Sequence, residues 1–165
     1  MRGLILQLKK TVGCLALMLL AWSVQAQDYD FFYKSAWLEA HFQGDSLYIT
    51  KYVYEHGAEP TATPAGVRLQ RSTKWLTEED KQSLQDCLLT SGFLELPEDA
   101  YGVEASQRFY PYTIQVQWEE RGKDKGGVRF RTKKVVYRSS PLAEPPPAAF
   151  STLQECLLKI VNARD

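Results

Sequence analysis

The residues of this chain best suited to covalent chemistry are two cysteines within a repeated phrase. Residues 83–89 read Ser-Leu-Gln-Asp-Cys-Leu-Leu and residues 152–158 read Thr-Leu-Gln-Glu-Cys-Leu-Leu, so Cys87 and Cys156 hold the same place in two amphipathic patterns. Two thiols that can meet in an oxidising compartment usually form a disulfide. This bridge would close a loop of roughly 70 residues and stabilise the fold by up to about 4 kcal/mol. The alternative is two buried, unbridged cysteines that pack as small apolar residues.

Side chains suited to proton transfer or metal binding are few. His41 and His56 are the only histidines, and the common metalloprotease, serine-hydrolase and phosphate-loop motifs are absent from the sequence. A triad assembled from distant residues stays open, and so does a loop metal site at His56, which lies beside Glu55 and near Glu59. The simpler interpretation is a solvated loop at 55–66, because two distant cysteines and two histidines lack metal-ligand spacing. We therefore expect no catalytic residue, no cofactor and no metal.

The N-terminus has the pattern of a cleaved secretion signal. Three basic residues precede an almost wholly apolar run at 11–22, and residues 24–26, Val-Gln-Ala, fit the small-residue cleavage rule. The apolar run is shorter than the roughly 20 residues of a membrane-spanning helix. We expect a signal peptide at 1–26, a mature chain that begins near Gln27 without a stable membrane span, and a periplasmic or secreted protein. An uncleaved N-terminal anchor and lipidation at Cys14 stay open as alternatives.

The charge balance does not favour nucleic acid as a partner. The chain has 20 basic and 20 acidic residues, and loss of Arg2, Lys9 and Lys10 with the signal leaves a mature net charge of −3. Such a balance exerts no general attraction on phosphates. Locally, residues 119–138 are basic and residues 78–104 are acidic. These segments are either the solvated faces of their elements or a dipolar surface that steers a charged protein partner, with the candidate residues Arg121, Lys123, Lys125, Arg129 and Arg131.

A first strand-strand-helix unit is predicted in the middle of the chain. Residues 46–54 are rich in β-branched and aromatic types, and a short strand at 67–72 follows a loop, with Val67 and Leu69 facing inward. Thr77 and the three acidic residues after it form a helix start signal. A glycine at position 92 is placed to end this helix in a left-handed conformation.

A second unit of the same kind is predicted near the C-terminus. Residues 112–119 alternate strictly between apolar and polar types, which indicates a strand with one buried face. The segment 128–137 is predicted to return as the second strand of an antiparallel hairpin, with Val128 and Phe130 inward and a bulge or bend further on. A proline-rich connector then leads to a helix at about 148–162.

The two units predict an α+β fold. We expect a four-stranded antiparallel sheet with both helices on one face, in the order ββα-ββα, because each sheet face needs a cover. Such an arrangement would bring Cys87 and Cys156 together. The predicted organisation is a signal peptide at 1–26, an aromatic-rich N-terminal arm at 27–45 and a single domain at 46–165. The apolar residues of this N-terminal segment follow no clean period, which is typical of an irregular arm or a short extra element.

The order of these elements and several of their segments resemble emfourin, a family of small bacterial inhibitors of thermolysin-like metalloproteases. The resemblance covers roughly residues 66–162 and is carried by four segments: Leu76-Thr77-Glu78-Glu79, residues 91–97, residues 109–116, and the proline-led helix with Leu153 and Leu157. It implies an inhibitor or binding module without catalytic residues, and a secreted metalloprotease as partner. The family usually carries an aspartate shortly before the third strand, where this chain has Ser106-Gln107-Arg108, so no inhibitory residue is assigned.

The function expected from the sequence is that of an exported, non-enzymatic binding protein, with protease inhibition as its most specific form. Its contact surface is expected in the loops 55–65 and 98–108 or in the basic turn 120–127, because loops on a rigid sheet commonly carry recognition. The alternative is a carrier of a small ligand or lipid, with a pocket lined by aromatic residues: Tyr48, Tyr52, Tyr112 and Trp118. A hydrolase also stays open, and a pocket with a histidine and convergent carboxylates would favour it.

Overall fold

The computed structural model describes residues 28–54, 67–121 and 128–163. The predicted signal peptide with Cys14, the loop 55–65 with His56, and Lys123 and Lys125 of the basic turn lie outside these ranges. Within the described ranges, no helix combines the length and apolar character that a membrane crossing requires.

The described residues form seven strands, two α-helices and one short 3-10 turn. In chain order these are β1 (Tyr29–Lys34), β2 (Leu38–Gln43), β3 (Ser46–Tyr54), β4 (Val67–Trp75), α1 (Glu78–Ser91), the 3-10 turn (Phe93–Glu95), β5 (Ala100–Gly102), β6 (Tyr110–Arg121), β7 (Val128–Ser139) and α2 (Ala148–Asn162). All the strands join one sheet in the order β4-β3-β2-β1-β6-β7-β5. Neighbouring strands are antiparallel except β5 and β7, which are parallel.

The prediction of a four-stranded antiparallel sheet is therefore wrong, since the sheet is mixed and has seven strands. Residues expected as an irregular arm form β1 and β2, which lie at the centre of the sheet between the two predicted hairpins. Their period is hard to read because aromatic side chains point to both faces: Phe31 and Tyr33 are buried, while Phe32 between them is partly exposed. The short β5 adds the third unforeseen strand, at one edge.

The predicted strand-strand-helix units are present within this larger sheet. They are β3-β4-α1 and β6-β7-α2, and both helices pack against the same core and against each other. A disulfide joins Cys87 of α1 to Cys156 of α2, with 6.7 Å between their Cα atoms, as the repeated phrase predicts. The two helices are thereby linked covalently as well as by packing.

Local signals explain where α1 begins and ends. Thr77 lies at its N-cap, where its hydroxyl accepts a hydrogen bond from the backbone N–H of Asp80, and the Asp80 carboxylate accepts one from the N–H of Thr77. This reciprocal pair satisfies two N–H groups that the helix leaves unbonded. Gly92 ends the helix at φ 75°, a left-handed conformation that glycine adopts at little cost. The next residue, Phe93, is fully buried and begins a 3-10 turn.

The sheet has two faces of different character. We call the face that packs against α1 and α2 the covered face and the opposite one the uncovered face. Alternate residues of the central strands build the core on the covered face: Phe31, Tyr33, Ala40, Phe42, Leu47, Ile49, Ile114, Val116, Val135 and Tyr137. Their neighbours in sequence therefore point away from both helices.

The inward direction predicted for the start of β7 is wrong. Val135 and Tyr137 are buried on the covered face, so alternation turns Val128 and Phe130 to the uncovered face, where Phe130 is 65% exposed. Pairing with β6 is continuous from Tyr110 opposite Ser139 to the far end of the hairpin, and no bulge interrupts it between the described residues. Val67 and Leu69 of β4, also expected inward, lie on the uncovered face, where Leu69 is exposed.

Candidate functional site

The uncovered face brings together side chains from strands that are distant in sequence. Strand register places Tyr48 of β3, His41 of β2, Phe32 of β1 and Gln115 of β6 side by side in one row. The row crosses four adjacent strands of the seven, which lie about 4.8 Å apart, and it therefore spans the centre of the sheet. Rows of polar and charged side chains flank it on both sides.

A groove of about 470 Å³ lies on this face along β1, β2 and β6, and we call it the polar groove. The rings of Phe32 and His41 meet edge-to-face within it, with centroids 4.4 Å apart. The charged and amide side chains that line it are Asp30, Lys34, Glu39, Gln43, Gln115 and Gln117. The groove thus combines aromatic surface with hydrogen-bonding groups, as small-molecule sites commonly do.

Glu39 is the centre of the electrostatic network in the polar groove. Its carboxylate accepts hydrogen bonds from Lys34 Nζ at 3.1 Å and from the Tyr52 hydroxyl at 3.0 Å, and His41 Nε2 lies 3.5 Å from it. Burial alone would raise the pKa of Glu39, but the hydrogen bonds from Lys34 and Tyr52 and the positive charge of Lys34 lower it overall. The same contact raises the pKa of Lys34. Both groups are therefore charged at neutral pH, and they neutralise each other.

Three glutamines supply hydrogen-bonding capacity that the described part of the chain does not use. The side-chain amides of Gln43, Gln115 and Gln117 make no hydrogen bond within residues 28–54, 67–121 and 128–163. Each amide offers two N–H donors and a carbonyl acceptor. The groove therefore presents both donors and acceptors to an incoming molecule.

A second feature, which we call the aromatic end, lies where β1 turns into β2. A groove of about 290 Å³ here is lined mainly by rings: Tyr52, Tyr54, Phe109, Tyr110 and Pro111. Trp37, which is 51% exposed, stands edge-to-face against Tyr54 with ring centroids 4.9 Å apart. The Tyr54 hydroxyl donates a hydrogen bond of 2.7 Å to the carbonyl oxygen of Ala36, which holds the ring in place.

The basic residues predicted as a partner-binding set lie only partly within the described part of the chain. Arg129 and Arg131 are exposed on β7 at the end of the hairpin opposite the aromatic end, and Arg131 Nε pairs with Glu120 Oε2 at 2.7 Å. Arg121 is the last residue of β6. The two lysines of the set, Lys123 and Lys125, fall outside the described residues.

The aromatic residues named for a carrier pocket do not share one cavity. Tyr48 and Tyr52 point to the uncovered face, whereas Tyr112 and Trp118 pack against the core on the covered face. A pocket enclosed by all four residues is thus not formed.

The pocket expected of a hydrolase, with a histidine and convergent carboxylates, is present in part. His41 lies in the polar groove with Glu39 and Asp30. Among the described residues that line this groove, none is a serine, threonine or cysteine, so the histidine has no hydroxyl or thiol nucleophile beside it. The lowered pKa of Glu39 also differs from the raised value that a general acid requires.

Most residues of the polar groove carry no functional signal in the sequence. Phe32, Lys34 and Glu39 belong to the segment expected as an irregular arm, and the pattern around Gln115 indicates only the solvated side of a strand. The alternation of β6 did signal that Gln115 and Gln117 share one face. Nothing local in the sequence signals that this face meets β1.

Fold and site define an α+β protein with an open sheet face and an interhelical disulfide, a covalent link typical of oxidising compartments. Comparison of the chain with models of protein families, with curated proteins and with solved structures finds no match. The resemblance to emfourin rests on the sequence segments alone.

Proposed function

We propose that this protein is an exported, non-enzymatic binding protein that contacts a protein partner through the aromatic end. The observation that carries the proposal is the half-exposed Trp37, which is supported by Tyr54 in a groove lined by further rings. Tryptophan and tyrosine are enriched among the residues that dominate binding energy at protein interfaces. Rings held in place before binding lose little conformational entropy when a partner docks.

The position of the aromatic end agrees with the loops that the sequence nominated. The segment 98–108, which was expected to be a loop and contains β5, leads directly into Phe109, and β3 ends at Tyr54, immediately before the nominated loop 55–65. The guanidinium of Arg138 lies 5.8 Å from the centroid of the Phe109 ring, a distance at which a cation is attracted to a ring face. A partner at the aromatic end would therefore meet aromatic surface with positive charge at its border.

The most specific form of the proposal is inhibition of a secreted thermolysin-like metalloprotease, which the resemblance to emfourin implies. The test is a titration of such a protease with the disulfide-bonded chain from Gln27 onward, with peptide hydrolysis as the readout. We expect hydrolysis to fall as the protein is added. Undiminished hydrolysis at a large excess of the protein removes the protease from the proposal.

Two tryptophan variants locate the contact surface. Trp37→Ala is expected to raise the inhibition constant at least about 10-fold, which corresponds to about 1.4 kcal/mol. Trp75→Ala is the matched control, because Trp75 is 79% exposed but lies at the other end of the β3–β4 hairpin. Equal inhibition constants for the two variants would show that the aromatic end is not the contact surface.

The proposed export is supported by the disulfide between Cys87 and Cys156 and by the signal-like N-terminus. Expression of the full chain in a bacterium, followed by fractionation and thiol labelling, tests it. We expect a shortened chain in the periplasm or the medium with both thiols protected from labelling. A full-length chain with labelled thiols in the cytoplasm would contradict export.

A further inference from the structure

We infer that the polar groove is a binding site for an uncharged saccharide. The site is separate from the protein contact proposed at the aromatic end, although Lys34 borders both grooves. A pyranose ring has apolar C–H faces and a rim of hydroxyl groups. The polar groove has the complementary layout, with aromatic surface in its central row and hydrogen-bonding side chains on both flanks.

The aromatic row provides the stacking surface. Phe32 and His41 are in edge-to-face contact, and Tyr48, which is 49% exposed, is the cross-strand neighbour of His41. The three rings belong to adjacent strands, so together they cover a length of about 10 Å at the usual strand spacing. Phe32 and His41 line the groove and Tyr48 lies beside it on β3, so the row offers room for two adjoining sugar rings.

The flanking amides match the chemistry of sugar hydroxyls. A hydroxyl group both donates and accepts a hydrogen bond, and an amide side chain does the same through its nitrogen and oxygen. The side-chain amides of Gln43, Gln115 and Gln117 have no partner within the described part of the chain. They would therefore exchange bonds to water for bonds to a ligand without breaking a hydrogen bond to any other described residue.

The charges in the groove favour a neutral ligand. Lys34 and Glu39 are paired at 3.1 Å, and one oxygen of Asp30 accepts a hydrogen bond from the backbone N–H of Gly44 at 3.4 Å. An anion would meet Glu39 and Asp30, and a cation would compete with Lys34 for Glu39. A polyhydroxylated, uncharged molecule avoids both conflicts.

The size of the groove also favours a small ligand over a protein at this position. Its volume of about 470 Å³ lies within the range of about 300–1,000 Å³ that is typical of small-molecule sites. The centre of a protein interface is usually depleted of charged residues, whereas a protein docked here would have to cover the Lys34–Glu39 ion pair beside the central row.

The test is a titration of the isotope-labelled, disulfide-bonded protein with cellobiose, maltose and N,N′-diacetylchitobiose, followed by NMR. We expect at least one of the three to cause saturable shifts at Phe32, His41 and Gln115, with a dissociation constant of about 1 mM or tighter. Saturation by the glucose disaccharides assigns the groove to plain glycans, and saturation by diacetylchitobiose alone assigns it to N-acetylated glycans. Either result supports the inference, and failure of all three sugars to saturate overturns it.

Matched variants separate the groove from the rest of the surface. The double variant Gln115→Ala/Gln117→Ala is expected to weaken saccharide binding at least about 5-fold, because it removes two side-chain amides that hydrogen-bond the sugar. Gln70→Ala on the exposed edge strand β4 is the control and should bind as the unaltered protein does. Trp37→Ala should also leave saccharide binding unchanged, which distinguishes this site from the aromatic end. Unchanged binding by the double variant would overturn the inference even if a sugar binds.

Discussion

The covered and uncovered faces of the sheet are built from the same strands and differ in what their side chains do. On β6, Ile114 and Val116 are fully buried against the helices, while Gln115 between them lines the polar groove. On β1, Phe31 and Tyr33 are buried, and Phe32 between them forms part of the aromatic row. One set of strands thus provides a core on one side and, on the other, the surface that we propose for recognition.

The tyrosines of the two faces show the same contrast. Tyr33 is almost completely buried on the covered face, its hydroxyl accepts a hydrogen bond from Gln154 Nε2 at 3.0 Å, and burial raises its pKa. Tyr52 lies on the uncovered face, and its hydroxyl donates a hydrogen bond to the Glu39 carboxylate. The first contact ties the sheet to α2, and the second positions a charged group beside a groove. Stability is therefore expected to depend on the covered face and binding on the uncovered face.

The largest expected difference between the faces is in packing. Ile114→Ala should lower the free energy of unfolding by about 2–5 kcal/mol, because it removes a fully buried side chain and leaves a cavity. Gln115→Ala, one residue further along β6, should change it by no more than about 0.5 kcal/mol. Urea unfolding followed by circular dichroism measures both values. Similar losses for the two variants would refute the assignment of the core to one face.

The disulfide is expected to have the next largest effect, again on the covered side. The double variant Cys87→Ala/Cys156→Ala should lose about 2–4 kcal/mol, since the bridge restricts an unfolded chain with a sequence separation of 69 between the two cysteines. Saccharide binding should persist under conditions in which the variant is folded, because the bridge lies between the helices. A reducing agent should destabilise the unaltered protein to the same extent and leave the double variant unaffected. A double variant as stable as the oxidised protein would contradict a stabilising role for the disulfide.

A smaller effect is expected at the helix cap. Thr77→Ala should lower the free energy of unfolding by about 1 kcal/mol, because the N–H of Asp80 loses its acceptor. Thr73→Ala, at an exposed position of β4, is the matched control and should change stability by less than about 0.5 kcal/mol. Guanidinium unfolding of both variants provides the comparison. If the two losses are equal, the capping contact does not stabilise α1.

The smallest expected effect concerns the pH dependence of the uncovered face. A carboxyl group whose pKa is lower in the folded than in the unfolded state stabilises the fold above its unfolded pKa, and this contribution is lost as the pH falls through the folded value. The pKa of Glu39 is lowered from 4.5. The unaltered protein should therefore lose more stability than Glu39→Gln between about pH 5 and pH 3, by less than about 1 kcal/mol because the pair is partly solvated.

Unfolding free energies at pH 7 and at about pH 3 measure this difference. Gln115→Ala is the control, because it alters the same groove without removing a charge. An identical pH dependence in Glu39→Gln and the unaltered protein would show that the Lys34–Glu39 pair adds nothing to folding.

Sequence reasoning succeeded where the signal is local. The cap at Thr77, the left-handed glycine at 92 and the apolar stripe of α2 mark their helices directly, and the repeated cysteine phrase indicates the disulfide. It failed at β1 and β2, because aromatic residues on both faces conceal the alternation of a half-buried strand. It also did not predict the polar groove. His41 and Gln115 lie on either side of Phe32 only because β1 pairs with both β2 and β6.

The central claim is that binding takes place on the uncovered face while the covered face holds the fold together. Side-chain NMR during the disaccharide titration tests it most directly, because alternate residues of β6 report on opposite faces. The account predicts saturable shifts of the side-chain amide signals of Gln115 and Gln117, with the methyl signals of Ile114 and Val116 unmoved. Saturable shifts of those methyl signals alone, or no saturable shift on either face, would contradict it.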